Sequence, residues 1–331
     1  MSDPNPDPPH VRWLNGLVSG DKLALAKLVT LVESEAPELY EVMEAIYPRC
    51  GRCRSLGVTG PPGAGKSTLV DRLIERFRSR GRKVGVIAVD PSSPFSGGAV
   101  LGDRIRMQRH ALDDGVFIRS FGSRGTHGGL SRATFDVVRL FDAFGLDEVI
   151  IETVGVGQTE LDVMNVADTT LVVLTPESGD TIQTMKAGLM EIADVFVVNK
   201  ADREGADQMV LELKTMVEMS GLPESSWKAP VLACQANKDK GIEPVEEVIA
   251  RHREQGDARR DWRRVRGRGH SRLFLEILSQ HFSRTLEKLT DEDERFQTLL
   301  RDLEEKGGNP YRAAREFFLD PGFGDQIFRK G

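Results

Sequence analysis

The stretch Gly60-Pro61-Pro62-Gly63-Ala64-Gly65-Lys66-Ser67-Thr68 constrains this chain more than any other. It fits G-x-x-x-x-G-K-S/T, with Gly60, Gly65, Lys66 and Ser67 in the fixed positions. Glycines let the backbone curl so that successive N–H groups point inward at phosphate oxygens, which a Cβ would obstruct. The lysine then neutralises β/γ-phosphate charge, and the following hydroxyl is placed for Mg2+.

The flanks agree with that reading. Ser55 to Thr59 is a short, partly apolar run suited to a buried strand. Leu69, Val70, Leu73, Ile74 and Phe77 recur at helical spacing, and Gly81 stands where such a helix would stop. Strand, glycine loop and helix aim a helix N-terminus at an anion. The expectation is a nucleoside triphosphate held by residues 60 to 68.

Further strands end on acidic or polar residues. Lys83 to Val89 is apolar and ends at Asp90, as a buried parallel strand ends at its carboxyl edge, where α/β ligands sit. A Pro, Ser and Gly-rich loop follows and carries a second carboxylate, Asp103. Val116 to Arg119 reads as a strand, residues 122 to 129 as a flexible connection containing Arg124 and His127, and Leu130 to Phe144 as a helix.

Val149-Ile150-Ile151-Glu152-Thr153-Val154-Gly155 repeats the strand-to-carboxylate pattern. In nucleotide switches such a carboxylate binds Mg2+ and such a glycine N–H meets the γ-phosphate. Val156, not glutamine, follows Gly155, and an apolar side chain cannot orient the attacking water. Hydrolysis should therefore be slow unless Gln158 or a partner helps.

Thr169 to Leu174 and Val195 to Val198 are two more strands, and the second ends in Asn199-Lys200-Ala201-Asp202. A carboxylate placed like Asp202 accepts two hydrogen bonds from guanine N1–H and the 2-amino group. Adenine would leave it unpaired, at a cost of about 1–3 kcal/mol. Asn199 braces the loop and the Lys200 stem covers the base, so the expected nucleotide is GTP or GDP. Val231 to Cys234 is the last strand; Gln235 and Ala236 occupy the place that supplies a backbone N–H to the guanine carbonyl.

The remaining segments carry less chemistry. Residues 1 to 9 read as a disordered lead-in with neither a signal core nor a transit pattern, and residues 11 to 47 as short helices broken at Gly20-Asp21. Cys50 and Cys53 form C-x-x-C, but a zinc site needs about four ligands and Cys234 is the one other cysteine. They read as two linker thiols, and an odd cysteine count suits a reducing cytoplasm. Between Arg251 and His270 stand eight arginines against three acids. A net charge of −6 and a single tryptophan in that run argue for an exposed linker or protein-docking surface rather than nucleic-acid binding. No apolar run approaches the roughly 18 residues needed to cross a bilayer.

Read together, the segments predict an α/β P-loop GTPase fold, a mostly parallel sheet flanked by helices with helical extensions at both ends. The predicted parts are a lead-in and helical arm over 1–50, a GTPase domain over 51–255, and a basic linker with a C-terminal helical segment over 256–331.

The chain resembles the MeaB/ArgK/MMAA-type GTPases, chaperones of adenosylcobalamin-dependent acyl-CoA mutases. The resemblance rests on V-T-G-P-P-G-A-G-K-S-T at 58–68, A-V-D-P-S-S at 88–93 and G-G-x-x-L-G-D-x-x-R-M at 97–107. It continues in E-T-V-G-V-G-Q-x-E at 152–160 and N-K-A-D at 199–202. It implies that Lys66, Ser67, Asp90, Asp103 and Glu152 serve phosphates and Mg2+, and that Asp180 to Lys186 form a third switch that moves with the partner. It also implies a homodimer through the C-terminal helices. Adenosylcobalamin would be met only through the partner mutase, with an adenosyltransferase as a further partner. Cys234-Gln235-Ala236 departs from the family's usual Ser-Ala in the base loop. A nickel metallochaperone would want a dense His/Cys cluster, which six scattered histidines do not make. A kinase of periplasmic binding proteins would want an acceptor site or catalytic-loop motif that the sequence does not display.

Overall fold

A computed structural model describes residues 7–91, 108–110, 112–123, 129–153, 166–178, 192–219, 226–259 and 261–319. These fall into two compact units, 1–262 and 263–331.

The first unit is built on a seven-stranded sheet: β1 (Arg54–Thr59), β2 (Val84–Pro91), β3 (Val116–Ser123), β4 (Glu148–Thr153), β5 (Thr169–Leu174), β6 (Val195–Val198) and β7 (Val231–Ala233). Their spatial order is β3-β2-β4-β1-β5-β6-β7. Among the described residues every pairing between neighbouring strands is parallel. The order reverses around β1, so the loop leaving β1 opens into the crevice where such sheets bind ligands.

Alternation along the strands sorts the core into two layers, because side chains on successive residues face opposite ways. Val86 of β2, Ile150 of β4, Leu171 and Val173 of β5 and Val197 of β6 pack with α4 (Lys66–Ser79) through Leu69, Val70, Leu73 and Phe77. Also in this layer are Val245, Val248 and Ile249 of a later helix (Ile242–Arg259). On the other face, Ile87, Val89, Val149 and Ile151 pack against α5 (Gly129–Phe144) through Val137, Leu140 and Phe141. Farther along that face, Phe196 and Val198 meet α6 (Ala206–Met219) at Met209 and Leu213. The Ile242–Arg259 helix is α7.

The N-terminal arm joins that second layer. α1 (Pro9–Ser19), α2 (Lys22–Glu33) and α3 (Leu39–Ile46) contribute Leu17, Leu25, Leu28, Val29, Val42 and Ile46, all fully or almost fully buried. Gly20, with φ +84, makes the break between α1 and α2, and Asp21 caps α2 by accepting from Leu23 N. The Cys50–Cys53 turn is held by the Asp142 carboxylate, which accepts from the amides of Gly51, Arg52 and Cys53. Cys50 Sγ lies 3.4 Å from the carbonyls of Ile46 and Arg139, and burial pushes its thiol up to about 11.

One expectation changes: β3 extends to Ser123 because Ala88 to Pro91 continue the ladder beside it. The arginine-rich stretch is helical on both sides of residue 260: α7 runs to Arg259, and α8 spans Asp261–Glu292. Arginine is a good helix former, so a dense basic run is compatible with helix.

Among the described residues the second unit consists of α8 from residue 263 onward, α9 (Glu294–Lys306) and α10 (Pro310–Leu319). Asp293 caps α9 by accepting from Arg295 N and Phe296 N. Its core is small: Leu289 and Phe317 are buried, with Phe282, Leu286, Phe296 and Leu299 packed around them. Phe274, Leu275 and Leu278 remain about half exposed on α8.

Candidate functional site

The carboxyl ends of β1, β4, β5 and β6 lie together, and the predicted site residues on them converge. The loop after β1 needs glycine for steric reasons. Gly60 has φ +141, and a Cβ there would stand 2.0 Å from the carbonyl oxygen of Val173 on β5. At Gly65, with φ +84, a Cβ would stand 2.3 Å from Asn199 Nδ2. Between them Ala64 N donates to Pro61 O at 3.2 Å, which closes the curl through Pro62 and Gly63.

α4 begins directly at Lys66, and its N-cap, Gly65, offers no side-chain acceptor. The first amides of this helix, those of Ser67 and Thr68 included, therefore face an anion site with the dipole's positive end. Lys66 is buried and donates its ammonium to Gly60 O at 2.8 Å and Pro61 O at 3.0 Å, curled over the loop it belongs to. Ser67 Oγ donates to Glu152 Oε1 at 2.6 Å, and both side chains are buried. β-Ladder register explains that pairing: Val58 lies beside Glu152, so the start of α4 and the end of β4 reach the same point. Ala88 also pairs with Glu152, which brings the backbone of Asp90 to the same edge two residues later. The two donors beside α4 are a hydroxyl and a carboxylate, oxygen ligands of the type that Mg2+ takes. Asp103, Arg124, His127, Gly155, Gln158, Asp180 and Lys186 lie outside the described residues.

Asn199 joins the phosphate loop to the base loop. Its Nδ2 donates to Ala64 O at 2.8 Å, while its Oδ1 accepts from Ala236 N at 3.1 Å and from the Cys234 thiol at 3.4 Å. Such a buried amide has its geometry settled by three partners on two segments. Lys200 adopts φ +56, a left-handed turn that a non-glycine residue takes only when its surroundings impose it. Ala201 N donates to Cys234 O at 3.0 Å, which holds that turn against β7. Asp202 lies at the rim, 2.8 Å from Lys238 Nζ, and this hydrogen bond holds its carboxyl below the usual carboxylate range. Burial pushes the Cys234 thiol up to about 12.

Two cations here carry no sequence motif. Lys238 faces Asp202, and Arg72, on α4, donates from Nε to Ala236 O at 3.1 Å. Arg72 stands five residues beyond Ser67 in a helix whose exposed face is rich in charge, so no spacing singles it out.

The family model described as methylmalonyl Co-A mutase-associated GTPase MeaB matches residues 25–291. A putative GTPase of Pyrococcus abyssi is 46% identical over 297 residues, 89% of this chain and 91% of that protein. GTPase ArgK of Escherichia coli is 39% identical over 240 residues, 70% of this chain and 72% of its own length. Among solved structures, one titled LAO/AO transport system kinase aligns with a TM-score of 0.69 at 28% identity, covering 96% of this chain and all of that one. A match of this extent, laid over a parallel sheet whose first strand feeds a glycine loop and a helix N-terminus, places the chain in the MeaB family of P-loop GTPases, GTP- and GDP-binding proteins.

Proposed function

We propose that this protein is a GTP-hydrolysing chaperone that gates cofactor loading onto an adenosylcobalamin-dependent acyl-CoA mutase and protects that enzyme. The observation that carries the nucleotide part is the Asn199 staple, which ties the glycine loop after β1 to the turn after β7. The partner is suggested by the family's description, a mutase-associated GTPase.

In this reading the Gly60 to Thr68 loop and the α4 amides receive the phosphates. The Lys66 ammonium exchanges its two carbonyl partners for β- and γ-phosphate oxygens. Ser67 and Glu152, with Asp90 and Asp103, would hold Mg2+, which supplies charge neutralisation to the β- and γ-oxygens. Asp202 takes the N1–H and 2-amino edge of guanine, Lys200 covers the ring, and Gln235 and Ala236 lie beside its carbonyl. Gly155 donates toward the γ-phosphate. Gln158 is the one side chain placed by sequence to orient water, so turnover is slow alone and rises when the mutase engages Asp180 to Lys186. The C-terminal helices pair two copies, and adenosylcobalamin stays with the partner. The Cys50–Cys53 turn favours this reading over nickel delivery, because Asp142 holds it through the amides of Gly51 to Cys53 and the Cys50 thiol lies against the carbonyls of Ile46 and Arg139.

GTP hydrolysis by the full chain, alone and with a purified mutase of this class, tests the proposal. A slow basal rate that rises several-fold with mutase and disappears in Lys66→Ala is expected. No stimulation by such a mutase, together with stoichiometric nickel binding lost in Cys50→Ser, would move the assignment to a metallochaperone.

A further inference from the structure

The turn that would face the guanine carbonyl is held in an unusual way. It is a short 3-10 segment, Ala236–Lys238, entered from Gln235. Five of its amides have internal acceptors. Gln235 N donates to Lys240 O, Ala236 N to Asn199 Oδ1, Lys238 N and Lys240 N to Gln235 O, and Asp239 N to Ala236 O. Among the described residues the Asn237 amide has none.

The Ala236 carbonyl belongs to the same peptide as that amide. It is the group that Arg72 reaches from α4, at 3.1 Å. Arg72 is itself oriented by Glu75, one turn farther along α4, through a 2.9 Å bond from its second nitrogen. A cation on a peptide oxygen draws electron density from the linked N–H and makes it a stronger donor. It also fixes the plane of that peptide relative to α4, and hence relative to the phosphate loop at its start.

From this geometry we infer that Arg72 is a positioning residue for guanine recognition, fixing and polarising the Ala236–Asn237 peptide so that the Asn237 N–H donates to the 6-oxo group. The inference rests on the nucleotide site proposed above and shifts the carbonyl contact one residue beyond the Gln235 and Ala236 expected from sequence. Both of those amides are committed elsewhere. It also separates the two edges of the base: Asp202, on the β6 loop, takes the N1–H and 2-amino groups, and the α4-supported turn takes the carbonyl.

Competition binding with two analogues reads the two edges independently. 6-Thio-GTP keeps N1–H and the 2-amino group but weakens the acceptor at position 6, whereas ITP keeps the carbonyl and lacks the 2-amino group. Wild-type full chain should prefer GTP to both. Arg72→Met should cut the GTP over 6-thio-GTP preference by roughly three- to tenfold, the worth of one hydrogen bond. The GTP over ITP preference should stay unchanged, and Arg72→Lys should restore part of the first ratio. Glu75→Gln, which keeps the guanidinium and loosens its aim, should give an intermediate loss. Equal falls in both ratios would mean a general loosening and overturn the inference, as would no change in either. A wild-type protein that does not prefer GTP to ATP would overturn the site reading itself, and this inference with it.

Discussion

The two ends of the same sheet are built differently. At the amino edge, ionisable side chains meet partners that the fold itself supplies. Glu148, at the start of β4, is 1% exposed and lies 2.9 Å from both Arg82 and Arg253. Burial pushes its carboxyl above the usual range against the pull of Arg253 and Arg82. Nearby, Asp194 meets His252 at 3.3 Å and accepts from Thr170 N, while Trp227 donates its indole N–H to the Asp194 carbonyl. At the carboxyl edge the buried Lys66 ammonium rests on two neutral carbonyls, and Ser67 bridges to Glu152. Hydrogen bonds from a cation to neutral oxygen are weaker than those to an anion, so a phosphate can replace them. One edge is finished by folding. The other is completed by a ligand. Shifted pKa values alone would not separate them, because structural ion pairs perturb titration as readily as active sites do.

That contrast can be broken by substitution. Glu148→Ala, which removes the buried carboxylate between Arg82 and the buried Arg253, should cost about 3–5 kcal/mol of stability in denaturant titrations. The folded fraction should keep wild-type GTP affinity; a matching loss of affinity would show the edges to be coupled. Lys66→Ala should do the reverse, lowering GTP turnover by about a hundredfold or more while Tm moves only a few degrees. A large fall in Tm would mean that Lys66 is a structural group.

Smaller effects sharpen the same division. Asp202→Asn should reduce the preference for GTP over ATP by about 1–3 kcal/mol in competitive binding, with unfolding unchanged. Unchanged selectivity would remove Asp202 from base recognition. At the amino edge the signal is pH. Burial pushes Asp194 up from 3.8 to about 7, and pushes His252 down from 6.5 to about 4. An acid raised in the fold loses stability as pH climbs toward 7; a histidine lowered in the fold loses it as pH falls from 6.5 toward 4. In the wild type these slopes oppose each other. His252→Gln should expose the first, with stability falling between pH 4 and 7, and Asp194→Asn should expose the second. Two flat profiles in the variants would show that neither group is buried uncharged.

Much of this was legible in order along the chain. β5 and β6 have the predicted ends, and β1 differs by one residue. Fully buried strands of parallel sheets are continuous apolar runs, and these are bounded by polar residues that mark their ends. β3 is longer than its apolar part because its last residues, Ser120 to Ser123, continue the backbone ladder with Ala88 to Pro91 of β2. The helical backbone of the Arg251 to His270 stretch, on both sides of residue 260, was not legible, since charge density carries no helical period when no apolar face punctuates it. Gln235 and Ala236 lie at the turn after β7, but the partners of their amides, Lys240 O and Asn199 Oδ1, are fixed by the fold and not by the local sequence.

By itself, the sequence determined the chemistry of the site: a glycine loop with its lysine and serine, two strand-end carboxylates and an N-K-x-D turn. Each is a local pattern whose residue types follow from what phosphate and guanine require. Only the tertiary structure decided how these are joined. Asn199 reaches the phosphate loop across 135 residues of chain, and Arg72 reaches the base turn across 164. Side-chain reach across a parallel sheet is set by strand order and register, and those follow from the packing of both faces together, which no single segment encodes.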